Sequence, residues 1–386
     1  MKKIAIVTAT RAEYGLLAPV VRELKKYEND ELHIELIVTG THLSQKYGNT
    51  VEEIYLDNLK IDHKISIPLK SDSEQDISYN QAETLVKFTK HFCDNRYEAI
   101  IVLGDRYETL AISIAAGNTG TSIFHMCGGD TTEGAMDEWI RHSITKMSFL
   151  HFVTNEESKK RVIQLGESPE RVFNYGSTSI DNILNIDFLS KQEALESIGL
   201  CDCKYALCTY HPVTMENGHM ELYVKNLLVA IKHFPQIEFI LTKSNADQSG
   251  NMINELYDEA ARTINNLHVY ASLGVKRYLS LMKYSEAVIG NSSSGIIEAP
   301  ALSVPTVNIG NRQRGRLQSK SIINCSTDAE SIIDSINTAF SKQHKEICMN
   351  VKSPYGDGHA AERIAKKSVE IVMNGDIDLK KKFYEI

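Results

Sequence analysis

The sequence predicts an α/β protein of two doubly wound domains, each built on a parallel sheet. Three observations predict it. Short β-branched runs alternate with longer amphipathic stretches, the pattern of βαβ units. Runs such as Ile100-Ile101-Val102-Leu103 are apolar without interruption, which suits strands buried on both faces. The chain has 386 residues, enough for two domains at roughly 100–200 residues each.

In the first half, strands are expected at residues 3–8, 33–39, 99–103, 122–125, 150–153 and 172–175. Helical patterns fall at 13–27 and 81–93. In the second half, strands are expected at 205–210, 237–241, 267–270, 287–289 and 306–309, with helices at 222–233, 252–264 and 275–284. This divides the chain into a first domain at 1–177, a second at 178–370, and a charged tail at 371–386 expected to pack back on the first. The two domains are expected to face a central cleft, because ligands of such sheets bind beyond the carboxyl ends of the strands.

Composition narrows the class. The chain is 42% hydrophobic and 24% charged, which suffices for two cores. A net charge of −8 argues against a nucleic-acid partner, since such proteins carry a basic excess. A local pocket can still be basic. No uninterrupted apolar run approaches about 18 residues, so no membrane partner is expected. The apolar opening stops at Arg11, too short for a signal peptide. The seven cysteines are scattered, and Cys201-Asp202-Cys203 is a poor zinc signature. They read as free thiols in the cytoplasm, with no metal site. No G-x-G-x-x-G follows the first strand, so no dinucleotide cofactor is expected.

The polar strings after the strands carry the chemistry. The first strand runs into Thr10-Arg11-Ala12-Glu13-Tyr14-Gly15. A strand turning into a helix presents backbone N–H groups to an anion, and Arg11 adds a fixed charge, either for a ligand or as a turn cap. Leu103-Gly104-Asp105-Arg106-Tyr107-Glu108 places Asp105 at a strand end, as general base, ligand to sugar hydroxyls, or helix N-cap. The densest segment is His125-Met126-Cys127-Gly128-Gly129-Asp130-Thr131-Thr132-Glu133-Gly134-Ala135-Met136-Asp137-Glu138, followed by Ile140-Arg141-His142. Its glycines suggest a mobile, closely approaching loop. Its crowded acids, Asp130, Glu133, Asp137 and Glu138, raise one another's pKa and make a general acid or base available. Arg141 and His142 lie within pairing reach of Asp137 and Glu138.

In the second half, Tyr210-His211-Pro212 ends a strand. His211 is read as stacking on a base, donating to a phosphate, or a satisfied core histidine. Thr242-Lys243-Ser244-Asn245 offers Asn245 to a base edge or ribose. The sharpest element is Gly290-Asn291-Ser292-Ser293-Ser294-Gly295, a turn of small residues opening a helix. Ser292, Ser293 and the helix N–H groups suit a phosphate. Glu298, one turn on, suits ribose hydroxyls. Arg312, Arg314 and Arg316 read as charge neutralisation near that turn or as a solvated basic patch.

Together these strings resemble the UDP-N-acetylglucosamine 2-epimerases, in particular the hydrolysing branch of bacterial sialic and legionaminic acid synthesis. The resemblance runs through almost the whole chain. It is carried by Arg11-Ala12-Glu13-Tyr14-Gly15, Thr39-Gly40-Thr41-His42, Gly104-Asp105-Arg106, Asp137-Glu138 with Ile140-Arg141-His142, His211-Pro212-Val213-Thr214, Gly290-Asn291-Ser292-Ser293 with Glu298, and Gly310-Asn311-Arg312-Gln313. It implies a glycosyltransferase-B type architecture of two Rossmann-like domains, no cofactor and no essential metal. It also implies a UDP-sugar substrate, UDP as product, and a homodimer, with a tetramer as the alternative.

The implied reaction is elimination of UDP with loss of the C2 proton, giving a 2-acetamidoglucal, followed by addition of water to release N-acetylmannosamine. Asp105, Asp130 and Asp137 are candidates for the base, and His211 assists at the phosphate. Asp105 and Asp137 match acids of the family motif. Cys127 stands where several members carry an acid, and Asp130 after the Gly-Gly pair is assigned its role, with Glu133 in reserve. The remaining site residues, Arg11, Arg141, Asn245, Ser292, Ser293, Glu298 and Arg312, are assigned to nucleotide and sugar. The alternative substrate is a UDP- or GDP-linked 2,4-diacetamido-2,4,6-trideoxy sugar. A glycosyltransferase of the same fold is disfavoured by the acid-rich Gly-Gly loop.

Overall fold

The structure, a computed structural model, describes residues 1–70, 73–132, 136–211, 219–243 and 250–386. Its thirteen described strands form two parallel sheets. The first holds β1 (Lys2–Thr8), β2 (Leu32–Thr39), β3 (His63–Ile65), β4 (Ala99–Leu103), β5 (Ser122–Met126), β6 (Leu150–Val153) and β7 (Val172–Asn174). Their order is β3-β2-β1-β4-β5-β6-β7. The second holds β8 (Tyr205–Thr209), β9 (Glu238–Thr242), β10 (Leu267–Tyr270), β11 (Val288–Gly290), β12 (Thr306–Ile309) and β13 (Ile322–Cys325), in the order β10-β9-β8-β11-β12-β13. Every described pairing is parallel.

Both sheets are doubly wound for the same reason. Successive side chains of a strand face opposite sides, and here both sides are covered. Ile4 and Ile6 pack with Leu17, Val20 and Leu24 of the helix Arg11–Lys25. Ala5 and Val7 belong to the opposite core with Phe88, Phe92 and Ile112. In the second sheet Ala206 and Cys208 join Val224, Leu227 and Tyr257. Strand order reverses between β1 and β4 and between β8 and β11. These are the topological switch points, where such sheets leave a crevice for ligands at the carboxyl ends of the strands.

Two strands lie outside the sequence expectation. β3 and β13 are edge strands of three and four residues with half-exposed or exposed side chains, so neither leaves a continuous apolar run. The helix Glu74–Asp94 begins seven residues before the expected position, at the cap Ser73, whose side chain accepts from Asp76 N. Its first turns are polar and carry no apolar period.

The domain limits also differ. One unit comprises Met1–Asp130, Met136–Asn182 and Tyr355–Ile386; the other comprises Ile183–Pro354 with Thr131 and Thr132. The division falls inside the helix Thr178–Asn185 rather than at 177. The helix Ala360–Asn374 belongs to the first unit, although residues 178–370 read as one domain. Ala361, Ile364, Ala365 and Val372 enter the core of Leu17 and Val20. Ala360 N and Ala361 N donate to Asp181, and Lys2 Nζ donates to Val372 O. An apolar helix face needs a partner, but its period does not say which of two cores supplies one.

The tail lies on the first unit. Tyr384 N donates to Gly166 O at 2.9 Å, and Lys381 Nζ donates to Ser148 O and pairs with Glu167 at 2.6 Å. Glu167 is fully buried. Burial alone would raise its pKa, but hydrogen bonds from His151, Lys146 and Lys381 hold it down at about 2. Lys381→Met removes one of those donors from a buried charge. It is expected to lower stability by about 1–3 kcal/mol, read as a drop in Tm by thermal denaturation at neutral pH.

Candidate active site

In the first unit the acids gather around one cation. Arg141, in the helix Asp137–Met147, is buried. Its guanidinium binds the Asp105 carboxylate, donates to Asp130 O at 2.8 Å, and reaches Glu138 Oε2 at 3.2 Å. Asp105 follows β4, and Asp130 lies in the loop after β5. The acids are therefore arranged around a guanidinium rather than pressed against one another. Asp105 is not a helix cap: the helix Tyr107–Asn118 is capped from Arg106 with no side-chain bond. Asp137 opens its helix beside Glu138, and His142 Nε2 lies 3.2 Å from Glu138 Oε1.

The Asp130 carboxylate is held from another side. Its Oδ1 accepts from Thr154 Oγ1 at 2.9 Å and Ser158 Oγ at 2.6 Å. The neighbouring glycines are there for close approach, not for mobility. A Cβ on Gly129 would press into Ser158 O and Val162 Cγ2, and one on Gly128 would meet Thr145 Oγ1 at 2.9 Å. Cys127 itself sits at φ +63°, the left-handed region that a non-glycine residue rarely adopts.

His125 carries no role in the sequence reading, yet it supports Asp105. It is fully buried on β5, with Nε2 2.8 Å from Gly104 O and Nδ1 3.2 Å from Thr145 Oγ1. Burial pushes its pKa down to about 3, so the ring is neutral at neutral pH. Nε2–H then donates to Gly104 O, fixing the peptide before Asp105. The signal was a histidine inside an apolar strand.

Arg11 stands in the first turn of its helix, half-buried, with the Glu53 carboxylate 3.9 Å away. Behind it Thr10 and Glu13 form a capping box: Glu13 N donates to Thr10 Oγ1 at 3.3 Å, and Glu13 Oε2 accepts from Thr10 N at 3.1 Å. This reciprocal cap starts the helix abruptly after β1.

In the second unit the Gly290–Gly295 turn is built on Asn291. Its Oδ1 accepts from His211 N at 2.6 Å, and its Nδ2 donates to His211 O at 2.8 Å. The two switch-point strands, β8 and β11, are thus tied just beyond their carboxyl ends. Asn291 O accepts from Arg312 and from Gln313 Nε2, at 3.0 and 2.7 Å. Gly290, at φ +136°, lies so close to Thr209 O that no Cβ fits.

Ser292 caps the helix Ser293–Ala301, accepting from Ser294 N. Tyr278 OH lies 2.6 Å from Ser294 Oγ. Ser293 Oγ makes no hydrogen bond among the described residues and is half-buried, a donor left over for a ligand. Glu298 follows in the same helix, half-buried.

His211 is pushed down to about 3, by burial first and then by the Arg312 charge. It is neutral at neutral pH and can act at a phosphate only through one ring N–H. Of the three arginines read as neutralising the turn, Arg312 reaches it. Arg314 and Arg316 instead line a neighbouring cavity of about 660 Å³ with Asn308, Asn324 and Ser326, and Arg316 Nε donates to Thr131 O. Glu133 and Asn245, together with 212–214 of the His211 string, lie outside the described residues. Among the described residues no group of three or more His, Cys, Asp or Glu is placed to hold a metal, and no helix is long and apolar enough to cross a membrane.

A turn of small residues opening a helix at one switch point, and a cation-centred acid cluster beside the other, are features a nucleotide-sugar enzyme needs. The sequence profile of the UDP-N-acetylglucosamine 2-epimerases matches residues 23–368. Polysialic acid biosynthesis protein P7 of Escherichia coli is 36% identical over 387 residues, 100% of this chain and 98% of its own. The hydrolyzing GDP/UDP-N,N'-diacetylbacillosamine 2-epimerase of Campylobacter jejuni is 40% identical over 353 residues, 90% of this chain and 89% of its own. The structure of the UDP-N-acetylglucosamine 2-epimerase of Neisseria meningitidis bound to UDP-N-acetylglucosamine matches with a TM-score of 0.81. It is 20% identical, and the match covers 96% of this chain and 100% of that one. The chain belongs to the UDP-N-acetylglucosamine 2-epimerase family, and its two parallel α/β units have the fold that the resemblance implies.

Arg141→Met would leave the acids without their common cation. Expected is a stability loss of about 3–5 kcal/mol, the range for removing one partner of a buried ion pair, measured by urea denaturation.

Proposed function

We propose that the protein is a hydrolysing 2-epimerase that converts UDP-N-acetylglucosamine to N-acetylmannosamine and UDP. A base takes the C2 proton while the C1–O bond breaks, its electron pair leaving with UDP. The product is a 2-acetamidoglucal. Water then adds its oxygen at C1, and a proton returns to C2 from the opposite face, inverting the acetamido group. The observation that carries the reading is the acid cluster: Asp105 and Asp130 sit at strand ends, oriented by Arg141, Thr154 and Ser158.

Asp130 is assigned as the base, because its carboxylate is aimed by two hydroxyl donors and Cys127 offers none. Asp105 and Asp137 serve as the further acid and as ligands to sugar hydroxyls. Ser292 and Ser293 stabilise the departing diphosphate, where charge develops, and Arg11 is assigned to an anionic group of the substrate. Neutral His211 donates to a phosphate oxygen, and Arg312 supplies charge from the base of the turn. Glu298 takes the ribose hydroxyls.

A second substrate has a specific observation in its favour. The Campylobacter relative, at 40% identity, is named for a GDP- or UDP-linked diacetamido sugar, and the same elimination and hydration would act on it. The seven cysteines are free thiols, which fits action in the cytoplasm; the homodimer is carried by the family resemblance alone.

The protein incubated with each nucleotide-sugar in turn, without an acceptor, is expected to release free 2-epimerised sugar and nucleoside diphosphate, identified by NMR. Return of an intact nucleotide-sugar epimer, or no release from any, overturns the reading. Asp130→Asn is expected to lower turnover by at least about 100-fold, the low end for losing a general acid or base. Near-normal turnover reassigns the base.

A further inference from the structure

Where β1 and β4 lie side by side, two glutamates are buried at neighbouring helix starts. Glu13 is the third residue of the helix Arg11–Lys25, and Glu108 the second of the helix Tyr107–Asn118. Glu13 Oε2 accepts from Ala9 N and Thr10 N at 2.8 and 3.1 Å. Glu108 Oε1 accepts from Arg106 Nε at 3.1 Å. The other oxygen of each, Glu13 Oε1 and Glu108 Oε2, is buried and meets no hydrogen-bond donor among the described residues. Glu108 is fully buried and Glu13 only 6% exposed.

A buried carboxylate oxygen without a donor is costly. Two like charges in one interior add to that cost. Ionised carboxylates only accept, and a proton on one of them turns an acceptor into a donor while removing one charge.

We propose that this pair holds one proton in mildly acidic solution and releases it around neutrality, that Glu13 carries it, and that Glu13, which caps the helix opened by Arg11, is thereby a positioning residue for Arg11. The groups facing it are Glu108 and Arg106 from the turn after β4, and the Ala9 and Thr10 N–H groups. Arg11 stands on its own helix, with Glu53 beyond it on the helix Val51–Leu56. Burial, then Glu108, push the Glu13 carboxyl up to about 7, against Arg106 and the two N–H groups. The unfolded chain releases this proton near the ordinary carboxylate value. Between the two values the folded state binds more proton, so stability falls as pH rises and the loss is complete above about 7. The part of the inference that concerns turnover rests on the epimerase reading; the proton itself does not.

The test uses the full chain with 13C-labelled glutamate carboxyls. One resonance is expected to titrate near pH 7 in the native protein, vanish in Glu13→Gln, and shift to lower pH in Glu108→Gln. Gln keeps an acceptor for Ala9 and Thr10 N–H and adds a donor, imitating the protonated form. Its Tm is therefore expected to fall less than the native Tm between about pH 5 and about pH 8. With a competent substrate, the alkaline fall of kcat is expected to move to higher pH in Glu13→Gln, while Glu13→Ala loses the cap and its stability. Glutamate resonances that all titrate below about pH 5.5, with native and Glu13→Gln Tm falling in parallel, overturn the proposal. If Glu13→Gln does not fold, the native titration and Glu108→Gln decide alone. Failure to turn over any nucleotide-sugar leaves these titrations unchanged, so the two readings fail separately.

Discussion

The first unit's chemistry depends on one buried guanidinium. Arg141 lies in the interior, bound to the Asp105 carboxylate, the Asp130 carbonyl and Glu138. A cation in that position is tolerable only because carboxylates meet it, and it orients them in turn. Three chain segments are fixed by that mutual need: the turn after β4, the loop after β5, and the helix Asp137–Met147. Thr154 and Ser158 then turn Asp130, and His125 fixes the peptide before Asp105.

The second unit solves a different problem with neutral groups. Asn291 bonds both the N–H and the carbonyl of His211, so one amide side chain ties the ends of β8 and β11 at the point where strand order reverses. Arg312 and Gln313 converge on the Asn291 carbonyl. The turn is held by these hydrogen bonds, and the Ser293 hydroxyl makes none among the described residues.

Much of the site was legible as strings at strand ends. Arg11, Asp105, Asp130, Asp137, His211, Ser292 and Ser293 all lie just beyond a strand or at the helix start that follows, as the alternation of apolar runs and polar strings implied. Roles were less legible than positions. Arg141 was expected at the ligand, but it is buried among the acids. Arg314 and Arg316 were expected at the phosphate turn, but they line another cavity. The Gly128-Gly129 pair was expected to approach closely, and it does, against Ser158 and Thr145. Such outcomes depend on residues far away in the chain, which no local pattern contains.

By itself the sequence determined the class of fold, the parallel sheets and the family, because period, strand length and ordered motifs are local properties. The tertiary structure alone decided which core the helix Ala360–Asn374 joins, how the acids divide one cation, and that Glu13 and Glu108 are buried at neighbouring strand ends. These follow from burial and from pairings across many tens of residues, where the cost of an unmet charge is set by surroundings rather than by spacing.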